Sequence, residues 1–161
     1  MQTDHDLVRF ASQDMKRKVA GVFAFTASEE PNRVVGYYTL CATSVELSDL
    51  SDAAVKRLSR YPQVPAILIS RLARDLDQPR LGQLLFADAL SRCTRSAKEI
   101  AAAVAVVDAK DKPAADFYSR FGFLSLPKMK SRLFPPIETV KKFVLIMKRS
   151  RGSDDAISVR R

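Results

Sequence analysis

Histidine and cysteine are almost missing from this chain of 161 residues, which has one His and two Cys. His5 has no metal-ligating partners at a useful spacing, and Cys41 and Cys93 lie in apolar stretches without a C-x-x-C pair. The sequence therefore offers neither a zinc site nor a Cys-His nucleophile, and both thiols are expected to fill the core. Long apolar runs are absent too, and the N-terminus, rich in Asp, His and Gln, lacks the apolar segment of a signal peptide. The expected location is cytoplasmic, with no membrane association. Acidic residues are the scarcer charge, 18 Asp and Glu against 27 Lys and Arg, for a formal net charge of +9. That balance points to an anionic partner, with nucleic acid ahead of a lipid surface because no anchor motif is visible. With 47% hydrophobic and 28% charged residues the chain has the composition of one soluble domain with a single core.

The pattern of the chain is mixed α/β. Asp6 to Val19 reads as an amphipathic helix whose polar side carries Arg9, Lys16, Arg17 and Lys18. Val22 to Thr26 and Val34 to Leu47 read as a hairpin around a polar turn, the second strand bent or bulged near Thr43-Ser44. Ser48 to Ser59 reads as a short helix. Ala66 to Leu72 is apolar on both faces and so a central strand, followed by the longest helix, Gly82 to about Lys98, and a second buried strand, Ala102 to Asp108. A crossover helix between two buried strands implies a parallel pair. Phe123 to Pro127 reads as a strand edge, Lys128 to Pro136 as a loop and Lys142 to Met147 as the last strand. Residues 1–149 are expected to form the domain, with 150–161 a disordered polar tail.

The most informative run is 106–123. A strand ends near Asp108, a polar turn follows, and a short helix starts with Asp111 or Lys112 as cap, Pro113 in its first turn and Gly122 as its stop. Ala114, Phe117 and Phe121 form its core-facing stripe, and Tyr118 sits at the edge of that stripe, able to offer a hydroxyl to a cleft at the strand end.

In open α/β sheets ligands bind beyond the carboxyl ends of parallel strands, which here means Arg71 to Gly82. A helix N-terminus with Arg74 and Arg80 beside it is suited to a pyrophosphate. The same residues are compatible with a plain strand-to-helix loop.

Taken together, several pieces carry a family resemblance. Asp75, Gln78, Arg80, Leu81, Gly82 and Leu84-Leu85, with Asp108-Ala109-Lys110-Asp111 and Phe117-Tyr118-x-x-Phe121-Gly122-Phe123 a strand later, are similar to the acyl-CoA-binding core of GNAT N-acetyltransferases. Gly36-Tyr37-Tyr38-Thr39-Leu40, Arg60-Tyr61-Pro62, Val64-Pro65-Ala66-Ile67-Leu68 and Arg132-Leu133-Phe134-x-Pro136 narrow it: the chain resembles the GNAT toxins of bacterial toxin-antitoxin pairs, which acetylate the amino group of aminoacyl-tRNA. The resemblance runs from about Phe10 to Met147. It implies the GNAT fold, a mostly antiparallel sheet with a central parallel pair flanked by helices. It implies acetyl-CoA as cosubstrate, with no metal, in a cleft lined by Leu72, Ala73, Arg74, Gln78, Arg80, Leu81, Gly82, Gln83, Asp108, Lys110, Ala114 and Phe117. In place of the family's usual Q-x-x-G-x-G loop the chain has Gln78-Pro79-Arg80-Leu81-Gly82, shorter and with one glycine, so charge from Arg80 is expected to replace part of the backbone cradle.

Tyr118 is then the expected general acid toward the departing thiolate. Lys128, Lys130 and Arg132, with Lys16 and Arg17, are the expected tRNA contacts. The implied partners are aminoacyl-tRNA, a ribbon-helix-helix antitoxin and a second copy of the chain in a homodimer. Two other functions suit the same residues: a GNAT acting on a protein or small-molecule amine, and a non-catalytic basic nucleic-acid-binding module on the same fold.

Overall fold

The computed structural model of the chain describes residues 9, 12–13, 16, 20–50, 52, 56, 61–100, 102, 104–135, 137–150 and 157–160. Seven strands form one mixed sheet: β1 (Gly21–Ala27), β2 (Val34–Glu46), β3 (Gln63–Arg74), β4 (Val104–Asp108), β5 (Leu124–Ser125), β6 (Arg132–Phe134) and β7 (Ile157–Arg160). Their spatial order is β5-β6-β4-β3-β2-β1-β7. Among the described residues only β3 and β4 run parallel, joined through helix α1 (Leu81–Ile100), as two buried strands separated by a helix require. Two further helices follow, α2 (Lys112–Arg120) and α3 (Ile137–Ser150).

Apolar residues on both sides of β3 and β4 explain their central place. Ile67, Ile69 and Val107 face the main core under α1, whereas Ala66, Leu68 and Val106 face a second cluster with Val45, Leu50, Leu126 and Phe134. In the main core Leu85, Phe86 and Leu90 of α1 are fully buried, each contributing about 2 kcal/mol of apolar burial. Phe86 is the hub of an aromatic cluster, with the rings of Phe117, Tyr118, Phe121, Phe123 and Phe143 centred 5.0–5.9 Å away. A polar lock reinforces the same contact: the buried Tyr38 hydroxyl donates to Asp88, which also accepts from Arg92 Nε at 2.9 Å.

Four local expectations are corrected. The bulge near Thr43-Ser44 is instead on the neighbouring strand, where Thr39 pairs with Arg71 but Leu40 with Ile69, leaving Ser70 extra. Lys142 to Met147 is helical within α3: Phe143 turns into the core while Leu145 and Ile146 stay half exposed, a helical division of an apolar run that sequence alone presents as two-faced. The loop over Lys128 to Pro136 contains β6, and within the expected tail Ile157–Arg160 pairs antiparallel with β1. Of the helix expected over 6–19 only 9, 12–13 and 16 are described, and these are helical; of that over 48–59 only 48–50, 52 and 56 are described, with Leu47–Asp49 in a 3-10 turn, and the rest of both lies outside the described residues.

How closely α1 approaches the sheet is set by Gly36 of β2. A Cβ there would lie 2.8 Å from Leu85 Cδ1, 3.1 Å from the Ala73 carbonyl oxygen and 3.1 Å from Leu81 Cδ2. Gly36→Ala is therefore expected to cost about 1–3 kcal/mol in urea unfolding, because a backbone carbonyl and two buried leucines must yield together. An unchanged midpoint would show that α1 tolerates displacement.

Candidate active site

Two parallel strands that part company create the site. β3 pairs with β4 from Ala66 to Ile69, against Val104 to Val107. β4 then ends at Asp108, but β3 continues to Arg74. The bulge at Ser70 marks the parting, and there Thr39 Oγ1 and Ser70 Oγ hydrogen-bond at 2.7 Å on the opposite strand pair. A bulge bends its strand and sharpens the twist, so residues 70–74 diverge from β4 while keeping β2. The end of β4 instead pairs with β6, Val107 with Leu133 and Asp108 with Arg132. Leu72, Ala73 and Arg74 thus lie half-buried along a strand edge that β4 has left.

Beyond this edge the chain makes a tight loop into α1. The Asp75 amide donates to the Val35 carbonyl at 2.7 Å, and the Asp75 carboxylate accepts from the Asp77 amide at 3.1 Å and from Arg33 at 3.0 Å. These bonds hold the carboxyl below its usual range, the Asp77 amide being the largest cause. Arg74 folds over the loop and donates from Nη1 to the carbonyls of Asp75, Leu76 and Gln78 at 2.9, 3.2 and 3.4 Å. It also lies against the first turn of α1, its Cδ 3.4 Å from where a Gly82 Cβ would stand. The Leu81 side chain, 2% exposed, turns into the core, so it does not obstruct the helix start. Leu81 spends its own amide on the Gln78 carbonyl at 3.1 Å, but the amides of Gly82 and Gln83 have no acceptor among the described residues. Arg80, Gln78 and Gln83 are exposed around them. Two free amides, a helix N-terminus and two arginines make a suitable seat for a pyrophosphate. The chemistry of this donor set fits the diphosphate end of coenzyme A.

The other wall is the end of β4 and α2. Asp111 caps α2 by accepting from the Ala114 amide at 2.9 Å, with Pro113 in the first turn, and Gly122 closes it at φ 82°. Tyr118 is not at the edge of the apolar stripe but inside it: it is 6% exposed, more buried than Phe117 or Phe121. The rings of Phe86, Phe117 and Phe123 stand 5.2, 5.3 and 6.1 Å from it. Its hydroxyl makes no hydrogen bond among the described residues. Burial, and after it the negative charge of Asp108, push the phenol up to about 12, so Tyr118 stays protonated at neutral pH. Ala114 and Phe117 are partly buried, and Lys110 is exposed.

The structure separates the expected basic contacts. Arg132 forms a two-pronged pair with Asp108, Nε to Oδ1 at 2.7 Å and Nη2 to Oδ2 at 2.8 Å. Lys128 donates to Glu46 at 2.9 Å and lies 3.7 Å from the buried Asp49. Lys130 and Lys16 are exposed, and Arg17 lies outside the described residues. Sequence reasoning missed Ser70, Thr39 and the pairing of Arg132 with Asp108, which join positions 31 and 24 residues apart and leave no local signal.

No family model matches the chain. It is 27% identical over 153 residues to the probable toxin TacT of Sinorhizobium fredii, covering 89% of this chain and 84% of that protein. It is 42% identical over 93 residues to a tRNA-acetylating toxin of Mycobacterium tuberculosis, a stretch of 56% of this chain and 55% of that one. Among solved structures it is similar to AtaT complexed with acetyl-methionyl-tRNAfMet, with TM-score 0.74, 25% identity, and 84% and 82% of the two chains covered. It is also similar to AtaTR bound with acetyl-CoA, with TM-score 0.65, 25% identity, and 81% and 77% covered. In sequence the chain is thus similar to proteins named as toxins, one of them tRNA-acetylating, and in fold to AtaT, with which it shares more than four fifths of its length.

Proposed function

We propose that the protein is an acetyl-CoA-dependent N-acetyltransferase whose acceptor is the α-amino group of aminoacyl-tRNA, and that it acts as a toxin by blocking translation. The observation that carries this reading is the opening between β3 and β4, with free amides of α1 at one end and, at the other, Asp108, whose charge reaches the buried Tyr118. The likeness to a tRNA-acetylating toxin and to AtaT complexed with acetyl-methionyl-tRNAfMet supports the acceptor.

The α1 start, Arg74 and Arg80 hold the diphosphate, and the backbone edge of residues 70–74 lies along the pantetheine arm. Asp108, Lys110, Ala114 and Phe117 form the facing wall. An α-amine has a reference pKa of about 7.7–8.0, so a useful fraction is neutral near pH 7 and no strong base is required. Its nitrogen attacks the thioester carbonyl, the C–N bond forms, the C–S bond breaks with its electron pair leaving on sulfur, and the proton shed by the nitrogen passes to water or to the departing thiolate, giving coenzyme A and the N-acetylated acceptor. Tyr118 donates its hydrogen bond to that sulfur. A phenol held at about 12 is a weaker acid than a thiol of about 8.5, so its main contribution is hydrogen bonding to the thiolate as charge develops.

Lys130, Lys16, Arg17 and Lys128 contact phosphates, Lys128 by exchanging Glu46 for the RNA. The partners are a ribbon-helix-helix antitoxin and a second copy of the chain, and the site of action is the cytoplasm. No helix among the described residues is long and apolar enough to cross a membrane.

Incubating charged tRNA with the protein and labelled acetyl-CoA is expected to place label on the aminoacyl group; no transfer to any charged tRNA would sink the reading. Replacing both Lys128 and Lys130 with Ala is expected to weaken tRNA binding and to make the slope of log affinity against log salt shallower by about 2. An unchanged slope would move the RNA to another face.

Tyr118→Phe is expected to lower kcat by about 10²-fold or more with little change in KM for acetyl-CoA. Because the raised phenol stays protonated, activity on the acid side is expected to rise as the acceptor amine deprotonates, with no loss attributable to Tyr118 below about pH 10. Full activity of the phenylalanine variant would remove the assigned role while leaving the cofactor seat intact.

A further inference from the structure

Arg132 was expected among the tRNA contacts, but its guanidinium is already committed. Nε and Nη2 both donate to Asp108, at 2.7 and 2.8 Å, and the side chain is only 14% exposed. The backbone fixes this pair as well as the side chains do: Asp108 and Arg132 are register partners in β4 and β6, and the Ala109 amide donates to the Ser131 carbonyl at 2.8 Å. Asp108 is the last residue of β4, where the strand faces the opening, and its charge reaches Tyr118 on α2. An unpaired carboxylate at that point would oppose the negative charge that gathers on sulfur as the C–S bond breaks.

We propose that Arg132 is a positioning residue for acyl transfer, holding Asp108 in a neutral pair so that the strand end beside Tyr118 accepts the departing thiolate. The proposal rests on the acetyl-CoA reading above. The charged and titratable groups around this point are Asp108 on β4, Arg132 on β6, Tyr118 on α2, Cys41 on β2 and the exposed Lys110 after β4. Of these, Arg132 alone meets the Asp108 carboxylate in a bidentate fork, which fixes the carboxylate's orientation as well as its charge.

Steady-state kinetics separates this role from a phosphate contact. Arg132→Gln is expected to lower kcat about tenfold, leaving KM for tRNA and its salt dependence unchanged, and the Asp108→Asn/Arg132→Gln double variant is expected to recover to within about threefold of the parent. A raised KM for tRNA with a salt slope shallower by about 1 and kcat kept, or a double variant no better than Arg132→Gln, overturns the proposal. Arg132→Lys, which keeps the charge but gives up the fork, covers the case in which Arg132→Gln does not fold; it is expected to lower kcat about threefold with KM for tRNA unchanged, and a raised KM for tRNA with kcat kept overturns the proposal.

Calorimetry needs no acceptor. Coenzyme A and desulfo-coenzyme A are titrated into parent and Arg132→Gln protein at pH 7 and pH 9.5, on either side of a thiol pKa of about 8.5. Arg132→Gln is expected to lose affinity for coenzyme A at the higher pH and to keep it for the desulfo analogue. Equal behaviour of the two proteins overturns the proposal. Failure of the parent to acetylate any charged tRNA would instead fall on the acceptor assignment, and the titration still decides the role of Arg132.

Discussion

The proposed function of this fold depends on two parallel strands losing each other. β3 and β4 pair over only four residues each, Ala66 to Ile69 with Val104 to Val107, and every element of the proposed site lies beyond that pairing. Had β4 continued alongside β3, the edge at 70–74 would be spent on ladder hydrogen bonds and no ligand could lie there. Ser70 is where the separation is built in. As the extra residue of β3 in its pairing with β2 it bends the strand, and the Thr39–Ser70 hydroxyl contact satisfies the polar groups that the irregularity brings together. β4 is drawn the other way by its pairing with β6.

The parting is useful only if what lies past it is rigid, and the two sides achieve this differently. On the α1 side rigidity comes from close packing. Gly36 lets Leu81 and Leu85 settle against β2, and the same inward turn of Leu81 clears the helix start for a phosphate, with Arg74 clamping the loop carbonyls over it. Core packing and the proposed ligand seat are thus one arrangement. On the α2 side rigidity comes from rings and charge. Tyr118 is fixed among Phe86, Phe117 and Phe123, and the strand end before it is fixed by Asp108 and Arg132.

Much of this was legible in the sequence wherever the determinant was local. The Asp111 cap, Pro113 and the Gly122 stop are neighbours along the chain, and they bound α2 as read. β3 and β4 were readable because apolar residues on both faces leave a strand no place but the centre. What escaped depended on partners brought together by the fold. The apolar run at 143–146 suits a strand or a helix equally, and only packing of Phe143 against Phe86 and Phe121 settles it. The bulge is a property of two strands, so neither sequence carries it alone. Lys128 and Arg132 look like free cations in a basic stretch, yet the fold gives both of them carboxylate partners.

That last difference changes how the net charge of +9 should be understood. Excess positive charge draws an RNA toward the whole molecule, but a cation inside the catalytic opening has a different task from one on its rim. Lys130 and Lys16 are exposed and sit in water, where a phosphate can replace a counterion at little cost. Arg132 is largely shielded and already forked onto Asp108, so transferring it to a phosphate would leave a carboxylate unpaired beside a buried phenol. The proposed acyl transfer develops negative charge on sulfur at that same place, which would make the unpaired state costlier still. In the proposed function, attraction of the substrate therefore falls to the exposed lysines, and charge balance at the reacting atoms to the pair that the β4–β6 register builds.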